Sequence, residues 1–181
     1  MVQNANNWAT TNRVNSRLSF NGAFDAESSF SATVTQAKNW INGYRNANTG
    51  WNTFFYGGAA GCPSDKNPNT TCNWPRDDII YLAWSSGKTT AFPEIYDEEP
   101  PSANPPTSVN AEQWQLLSER AVALGQGRIN FAGGLSQYQA CVDLGHPQDC
   151  SGLEERPKAA WTDLWDELNW VLLTFLWVAR P

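Results

Sequence analysis

Apolar residues recur along this chain with helical spacing in three segments. Intervals of three and four residues mark amphipathic helices, and they occur over 28–46, 110–124 and 157–168. Ser28 or Ser29 is expected to cap the first of these helices, and glycines at 125 and 127 to end the second. The three segments therefore predict three helices that are well separated along the chain.

Short apolar runs between these segments predict strands. The predicted strands cover 18–27, 51–56, 78–84 and 128–133, and 92–96 is either a short strand or an ordered loop. The run 78–84 is almost entirely apolar, which is typical of a strand covered on both faces of a sheet. Prolines and acidic residues over 97–109 predict a loop.

The alternation of strands and helices predicts an α/β fold built from parallel βα units. Long loops follow the strands and short links follow the helices, as in a (β/α) barrel. Because a complete barrel has eight strands and about 250 residues, the 181 residues predict a partial or truncated TIM-like barrel. We expect a polar arm over 1–17 and one domain over 18–181. A homodimer that completes the barrel would cover its open edges.

Charge and composition narrow the possible partners. The formal net charge is −6 and no basic stripe is present, which argues against nucleic acid as a ligand. Ten tryptophans suit a surface on which sugar rings stack, although tryptophan also packs cores. The apolar run over 170–179 is shorter than the roughly 20 residues that a membrane-spanning helix needs.

The four cysteines fall into two local pairs. Cys62 and Cys72 bracket one loop, and Cys141 and Cys150 bracket another. Metal binding is the competing interpretation, but the chain has no C-x-x-C motif and a single histidine. We therefore predict two local disulfides, no metal or other cofactor, and a secreted protein.

The candidate chemistry begins with two carboxylates at the end of the first predicted strand. Asp25 and Glu27 are two residues apart, so both side chains would point to one face. Ligands of parallel α/β sheets bind at this end of the strands, and glycoside hydrolysis requires two carboxyl groups. The competing interpretation is a solvated acidic turn, or a cap for the following helix.

Glu94 is the third candidate catalytic residue. It lies between Phe92 and Tyr96, and a carboxylate among apolar residues is either paired or functional. A helix cap, or an ion pair with Arg76 or Arg128, would be the structural explanation. If Glu94 also follows a strand, it can face Glu27 across the mouth of the fold.

Polar and aromatic residues near the predicted strand ends are candidates for substrate binding. Aromatic rings there can stack on sugar, and an amide can hydrogen-bond hydroxyl groups, although core packing explains each aromatic residue equally well. One tryptophan in the first cysteine loop is either a binding platform or a loop anchor. These candidates are Tyr56, Trp84, Tyr96, Gln137, Tyr138 and Trp74.

Several strings together resemble secreted bacterial glycoside-hydrolase-like barrel proteins. The strings are FDAE at 24–27, YGGAAGCP at 56–63, FPEIY at 92–96, AEQW at 111–114 and FAGGLSQY at 131–138. More distantly, the first string is similar to the acidic strand of family-25 lysozymes. The resemblance implies that Glu27 donates a proton and that Asp25 stabilises positive charge or orients the sugar.

The expected function is cleavage of a glycan, from a cell wall or a plant, by paired carboxylates in a secreted protein. The alternative is a non-catalytic carbohydrate-binding or structural module derived from a truncated barrel. An esterase is a third possibility, but the chain lacks the Gly-x-Ser-x-Gly motif of α/β hydrolases.

Overall fold

A computed structural model describes residues 1–28, 32–47, 50–64, 67–96, 108–138, 142 and 156–178 of the chain. For 157 and 170–178 it describes the backbone alone. The elements in chain order are α1 (Val2–Thr11), β1 (Gly22–Phe24), α2 (Val34–Ala47), β2 (Thr53–Phe55), α3 (Arg76–Ile80), a π-helical turn (Tyr81–Ser85), β3 (Thr89–Ala91), α4 (Val109–Ala123) and α5 (Pro157–Val178).

The three strands form one parallel sheet in the order β1-β2-β3. Gly22 pairs with Thr53, and Thr53 pairs in turn with Thr89. Beyond β3, single parallel bridges join Ala91 to Phe131 and Glu94 to Leu135. The α/β class and the parallel pairing are therefore confirmed. A TIM barrel is not seen, because the sheet of the described chain is small and open.

Helices cover one face of this sheet. Phe24 and Phe55 point to that face, and Phe55 makes an edge-to-face contact with the fully buried Trp114 of α4, at 6.1 Å between ring centroids. The intervening residues Ala23 and Phe54 point the other way and are more exposed. Past the end of β1, every second residue counted from Ala23 is therefore expected to point its side chain to the less covered face.

The segment 78–84 is the main error of the sequence prediction. It was expected to be a strand, but it forms the end of α3 and the π-helical turn. Ile80, Leu82 and Ala83 are each fully buried in the core. A short apolar run does not distinguish a buried helix from a buried strand, and Pro75 with the acidic first turn favours the helix. The third strand, β3, follows at Thr89 and was missed.

The N-terminal segment differs from the expected irregular arm, because Val2–Thr11 is helical. Asn6 is 4% exposed and clamps the backbone of Phe20. Its Nδ2 donates to the Phe20 carbonyl at 2.7 Å, and its Oδ1 accepts from the Phe20 amide at 3.0 Å. The Asn6 amide thus satisfies the chain just before β1, as a neighbouring strand would.

The helix that follows β1 starts later than Ser28 or Ser29. It begins at Val34, where Thr33 and Gln36 form a capping box. The Thr33 amide donates to Gln36 Oε1 at 2.7 Å, and the Gln36 amide donates to Thr33 Oγ1 at 3.3 Å. The T-x-x-Q sequence is the specific start signal, and it overrides the earlier serines.

The later helices agree better with their predictions. α4 begins one residue before the predicted start, and Gly125 and Gly127 follow it with positive φ angles of 73° and 74°. The predicted helix at 157 extends to Val178. The predicted strand 128–133 is reduced to the single bridge at Phe131. The expected loop 97–109 lies mostly outside the described residues.

Cys62 and Cys72 form a disulfide, which confirms one of the two predicted pairs. Cys141 and Cys150 lie outside the described residues. No helix in the described part of the chain has the length and apolar character required to cross a membrane.

Loss of the Cys62–Cys72 disulfide is expected to destabilise the fold. The bond closes a loop with a sequence separation of 10, and a loop of that length corresponds to about 2–3 kcal/mol of chain entropy. Urea unfolding of the Cys62→Ser/Cys72→Ser double variant beside the wild type measures the difference. An unchanged unfolding midpoint would contradict a stabilising role for the bond.

Candidate functional site

Three carboxylates converge where the parallel strands end. Asp25 and Glu27 follow β1, and Glu94 follows β3. An oxygen atom from each residue lies within 4.8 Å of the others, and all three side chains are partly buried. The carboxyl ends of parallel strands meet at one edge of a sheet, which explains how residues almost 70 positions apart share a site.

Gly58, in the glycine pair after β2, lies next to two of these carboxylates. The Gly58 amide donates to Glu27 Oε1 at 3.0 Å. A β-carbon at Gly58 would lie 3.0 Å from that oxygen and 3.3 Å from Glu94 Oε2. The missing side chain therefore leaves the space in which the Glu27 and Glu94 carboxyl groups approach each other.

Gly57 is also in close contact with the chain that carries the acids. A β-carbon there would lie 2.5 Å from the Ala26 carbonyl oxygen and 2.8 Å from the Phe55 ring. Ala26 stands between Asp25 and Glu27, which follow β1. Only glycine allows the β2 loop to pack directly on that backbone.

The surroundings of Glu94 raise its pKa from 4.5 to about 8. Burial is the largest cause, followed by the hydrogen bond with Glu27, and the negative charges of Glu27 and Asp25 act in the same direction. The hydrogen bond from Tyr96 opposes the shift. Glu94 therefore carries a proton at neutral pH, as a general acid requires.

A short chain of hydrogen bonds orients Glu94. The Tyr96 hydroxyl donates to Glu94 Oε1 at 2.5 Å, and Gln137 Nε2 donates to the Tyr96 hydroxyl at 2.7 Å. Burial first, and then the bond to Glu94, raises the pKa of Tyr96, so its phenol remains a donor. The bridge between Glu94 and Leu135 brings the Gln137 segment to this position.

Asp25 is the third member of the cluster. Burial, and then the charge of Glu27, raises its pKa above the ordinary value of 3.8. Its Oδ1 atom is buried and has no hydrogen-bond partner within the described chain. A substrate hydroxyl could satisfy that oxygen, since buried polar atoms normally find a partner.

Three further residues predicted to bind substrate are Tyr56, Tyr138 and Trp74. Tyr56 directly follows β2, and its amide donates to the Phe24 carbonyl at 3.2 Å. Tyr138 lies one residue beyond Gln137, with the Arg156 guanidinium 5.0 Å from its ring centroid. Trp74 packs against the core, which favours its interpretation as a loop anchor.

Trp84 lies away from this site, contrary to the expectation that it ends a strand. It belongs to the π-helical turn, and its Nε1 donates to the Gln126 carbonyl at 3.1 Å. It lines a separate cavity with Thr89, the first residue of β3, and with Asn52, which precedes β2. That cavity opens at the amino ends of the strands.

The carboxyl oxygens of Asp25, Glu27 and Glu94 are close enough together for one hard cation to bridge them. Carboxylates are the ligands that such ions prefer. The expectation that no metal is needed therefore stays a prediction.

Comparisons with known proteins found no match for this chain among protein-family models, curated proteins or solved structures. The resemblance to glycoside-hydrolase-like barrels rests on the sequence strings alone.

Proposed function

We propose that this protein is a secreted glycoside hydrolase that cleaves a glycan with the carboxyl groups of Glu94 and Glu27. The observation that carries the proposal is the convergence of the three carboxyl groups, in which burial raises the pKa of Glu94 to about 8 and so keeps a proton beside a second carboxyl group. Two carboxyl groups in different protonation states are the minimum equipment for cleaving a glycosidic bond.

In this proposal Glu94 protonates the leaving glycosidic oxygen. Glu27 accepts hydrogen bonds from the Gly58 amide and from the protonated Glu94. An ionised carboxylate is suited to accept both. Its oxygen attacks the anomeric carbon as the bond to the leaving oxygen breaks. Water then releases the sugar, and Glu94 takes the proton of that water. The raised pKa favours Glu94 as the proton donor, whereas the resemblance implied Glu27.

The separation of the carboxyl groups supports retention of configuration. Retaining enzymes hold the two groups about 5–5.5 Å apart, and inverting enzymes leave about 6.5–9.5 Å for a water molecule. The oxygens of Glu27 and Glu94 lie within 4.8 Å of each other and share a hydrogen bond. A bound sugar has to part the two groups, and the retaining separation is nearer to this arrangement than the inverting one. Asp25, next to both, would stabilise positive charge at the reacting carbon or orient the sugar.

Reducing-sugar release tests the function directly. Wild type and Glu27→Gln are incubated with a panel of neutral polysaccharides and with peptidoglycan, each with and without EDTA. We expect release by the wild type that EDTA leaves unchanged and that Glu27→Gln loses. If folded wild type releases no sugar from any substrate, the enzyme proposal is wrong and the non-catalytic carbohydrate-binding or structural module takes its place.

The pKa of Glu94 predicts how activity and stability depend on pH. Turnover should fall above about pH 8 as Glu94 loses its proton. The unfolded chain releases this proton near pH 4.5, so the folded state holds more protons between about 4.5 and 8. The free energy of unfolding should therefore decrease as pH rises through that window and then level off.

Both pH dependences can be measured with the wild type and Glu94→Gln. A pH series of initial rates gives that of turnover, and urea unfolding at each pH gives that of stability. The slope of stability across the window should be smaller in the variant. Identical slopes would show that folding does not raise the pKa of Glu94.

The fold proposed for this function remains a partial (β/α) barrel. Three parallel strands, the alternating helices and the two bridges beyond β3 support it. The Cys62–Cys72 disulfide supports secretion, since oxidising compartments preserve such bonds. The homodimer stays a prediction, which sedimentation equilibrium would test.

A further inference from the structure

A second cavity lies beside the carboxylates, between the end of β1 and the first turns of α2. Its volume is about 350 Å³, and its lining is mostly apolar. Phe24 and Trp40 form part of the wall, and Asp25 and Gln36 supply its polar groups. Asp25 belongs both to this cavity and to the carboxylate cluster, so the two sites are adjacent.

Trp40 is the unusual member of this wall, because its large apolar side chain is 46% exposed. The ring is nevertheless held by its neighbours. Its centroid lies 4.7 Å from that of Phe24 and 5.6 Å from that of Tyr44, and it is nearly parallel to the Tyr44 ring at 17°. An exposed ring in a fixed orientation is a preorganised platform for a flat, apolar face.

The polar groups of the cavity are placed to bind hydroxyl groups. Gln36 Oε1 is engaged in the capping box with Thr33, so its Nε2 is the atom that would donate to a ligand. Asp25 forms the other end of the wall, and its carboxyl group belongs to the neighbouring acidic cluster. A pyranose ring presents an apolar C–H face and a rim of hydroxyls, which matches an aromatic platform with polar groups at its edge.

We propose that this cavity is a subsite for one neutral hexopyranose unit of the glycan, stacked on Trp40 next to the unit being cleaved. The inference rests on the proposed function for the identity of the ligand as a glycan. The acidic cluster selects the charge of the unit, because a uronate would bring a further negative charge close to those of Asp25 and Glu27.

The test measures binding separately from turnover. Isothermal titration with cellohexaose, N-acetylchitohexaose and hexagalacturonate is performed on Glu27→Gln protein, alone and combined with Trp40→Ala, Trp40→Phe or Gln36→Glu. The matched control is Trp165→Ala, which removes a tryptophan that is 54% exposed on α5. Gln36→Glu keeps the acceptor of the capping box and removes the amide donor, so it should also weaken the affinity. Thermal unfolding shows that each variant is folded.

We expect one of the two neutral hexamers to bind, and Trp40→Ala to weaken its affinity about tenfold or more. Trp40→Phe should retain part of the affinity, Trp165→Ala all of it, and hexagalacturonate should bind weakest. Equal affinity of folded Trp40→Ala, or no binding of either neutral hexamer, overturns the subsite. A change in sedimentation of Trp40→Ala would also overturn it, by showing that this face joins two copies of the chain.

The two proposals fail in different ways. Binding that depends on Trp40, in a wild type that releases no sugar, keeps the subsite and removes the hydrolase. Sugar release that depends on Glu27, with affinity independent of Trp40, keeps the hydrolase and removes the subsite.

Discussion

Glu94→Gln is expected to reduce kcat about 10²–10⁴-fold, the contribution that a positioned general acid makes. The substitution keeps the size of the side chain and still offers an oxygen to the Tyr96 hydroxyl. It removes the proton that the buried carboxyl group carries below about pH 8. Because the oligosaccharide still has its binding groups, KM should change much less than kcat.

Two comparisons make this result specific to Glu94. Glu119→Gln makes the same chemical substitution at an exposed position of α4, and its kcat should equal that of the wild type. The residual activity of Glu94→Gln should also lack the decline above pH 8. A variant with wild-type kcat would show that another group donates the proton and would leave Glu94 with a structural role.

Part of the site could be predicted because it follows from strand geometry. The two-residue spacing of Asp25 and Glu27 places both side chains on one face, whatever the fold beyond the strand. The position of Glu94 was less secure, since the segment 92–96 had two interpretations. The parallel sheet brings it to the first two acids because β1 and β3 end at the same edge.

The raised pKa of Glu94 could not be obtained from sequence. It depends on burial and on the distance to Glu27, which is 67 positions away along the chain. The close approach of the two carboxyl groups depends in turn on Gly58, where a side chain would occupy the space between them. Local patterns predict residue types at strand ends, but such contacts are properties of the folded chain.

The prediction of a strand over 78–84 was wrong for a different reason. A continuous apolar run lacks the period that separates helix from strand, and here the partly exposed positions 81 and 84 also carry large aromatic side chains. The signals at its start, Pro75 followed by Asp77 and Asp78, were present in the sequence. The placement of Trp84 failed with the segment that carries it, because a residue in a helix does not mark the end of a strand.

Gly57→Ala is expected to damage both stability and activity, although it adds a single methyl group. The new β-carbon would lie 2.5 Å from the Ala26 carbonyl oxygen, which is backbone and cannot move without displacing Asp25 or Glu27. Overpacking of this kind costs about 1–3 kcal/mol. Turnover should fall further than stability alone explains, since a displacement of about 1 Å can cost about 10²-fold in rate.

Gly43→Ala is the matched control for this substitution. Gly43 lies within α2, and a β-carbon there would meet no heavy atom within 4 Å. The same chemical change should therefore stabilise the protein by about 0.5–1 kcal/mol, because alanine favours a helix more than glycine does. Urea unfolding and sugar release of both variants give the comparison. If Gly57→Ala matched the wild type in both, the close packing of the β2 loop against Ala26 would not be what positions the carboxylates.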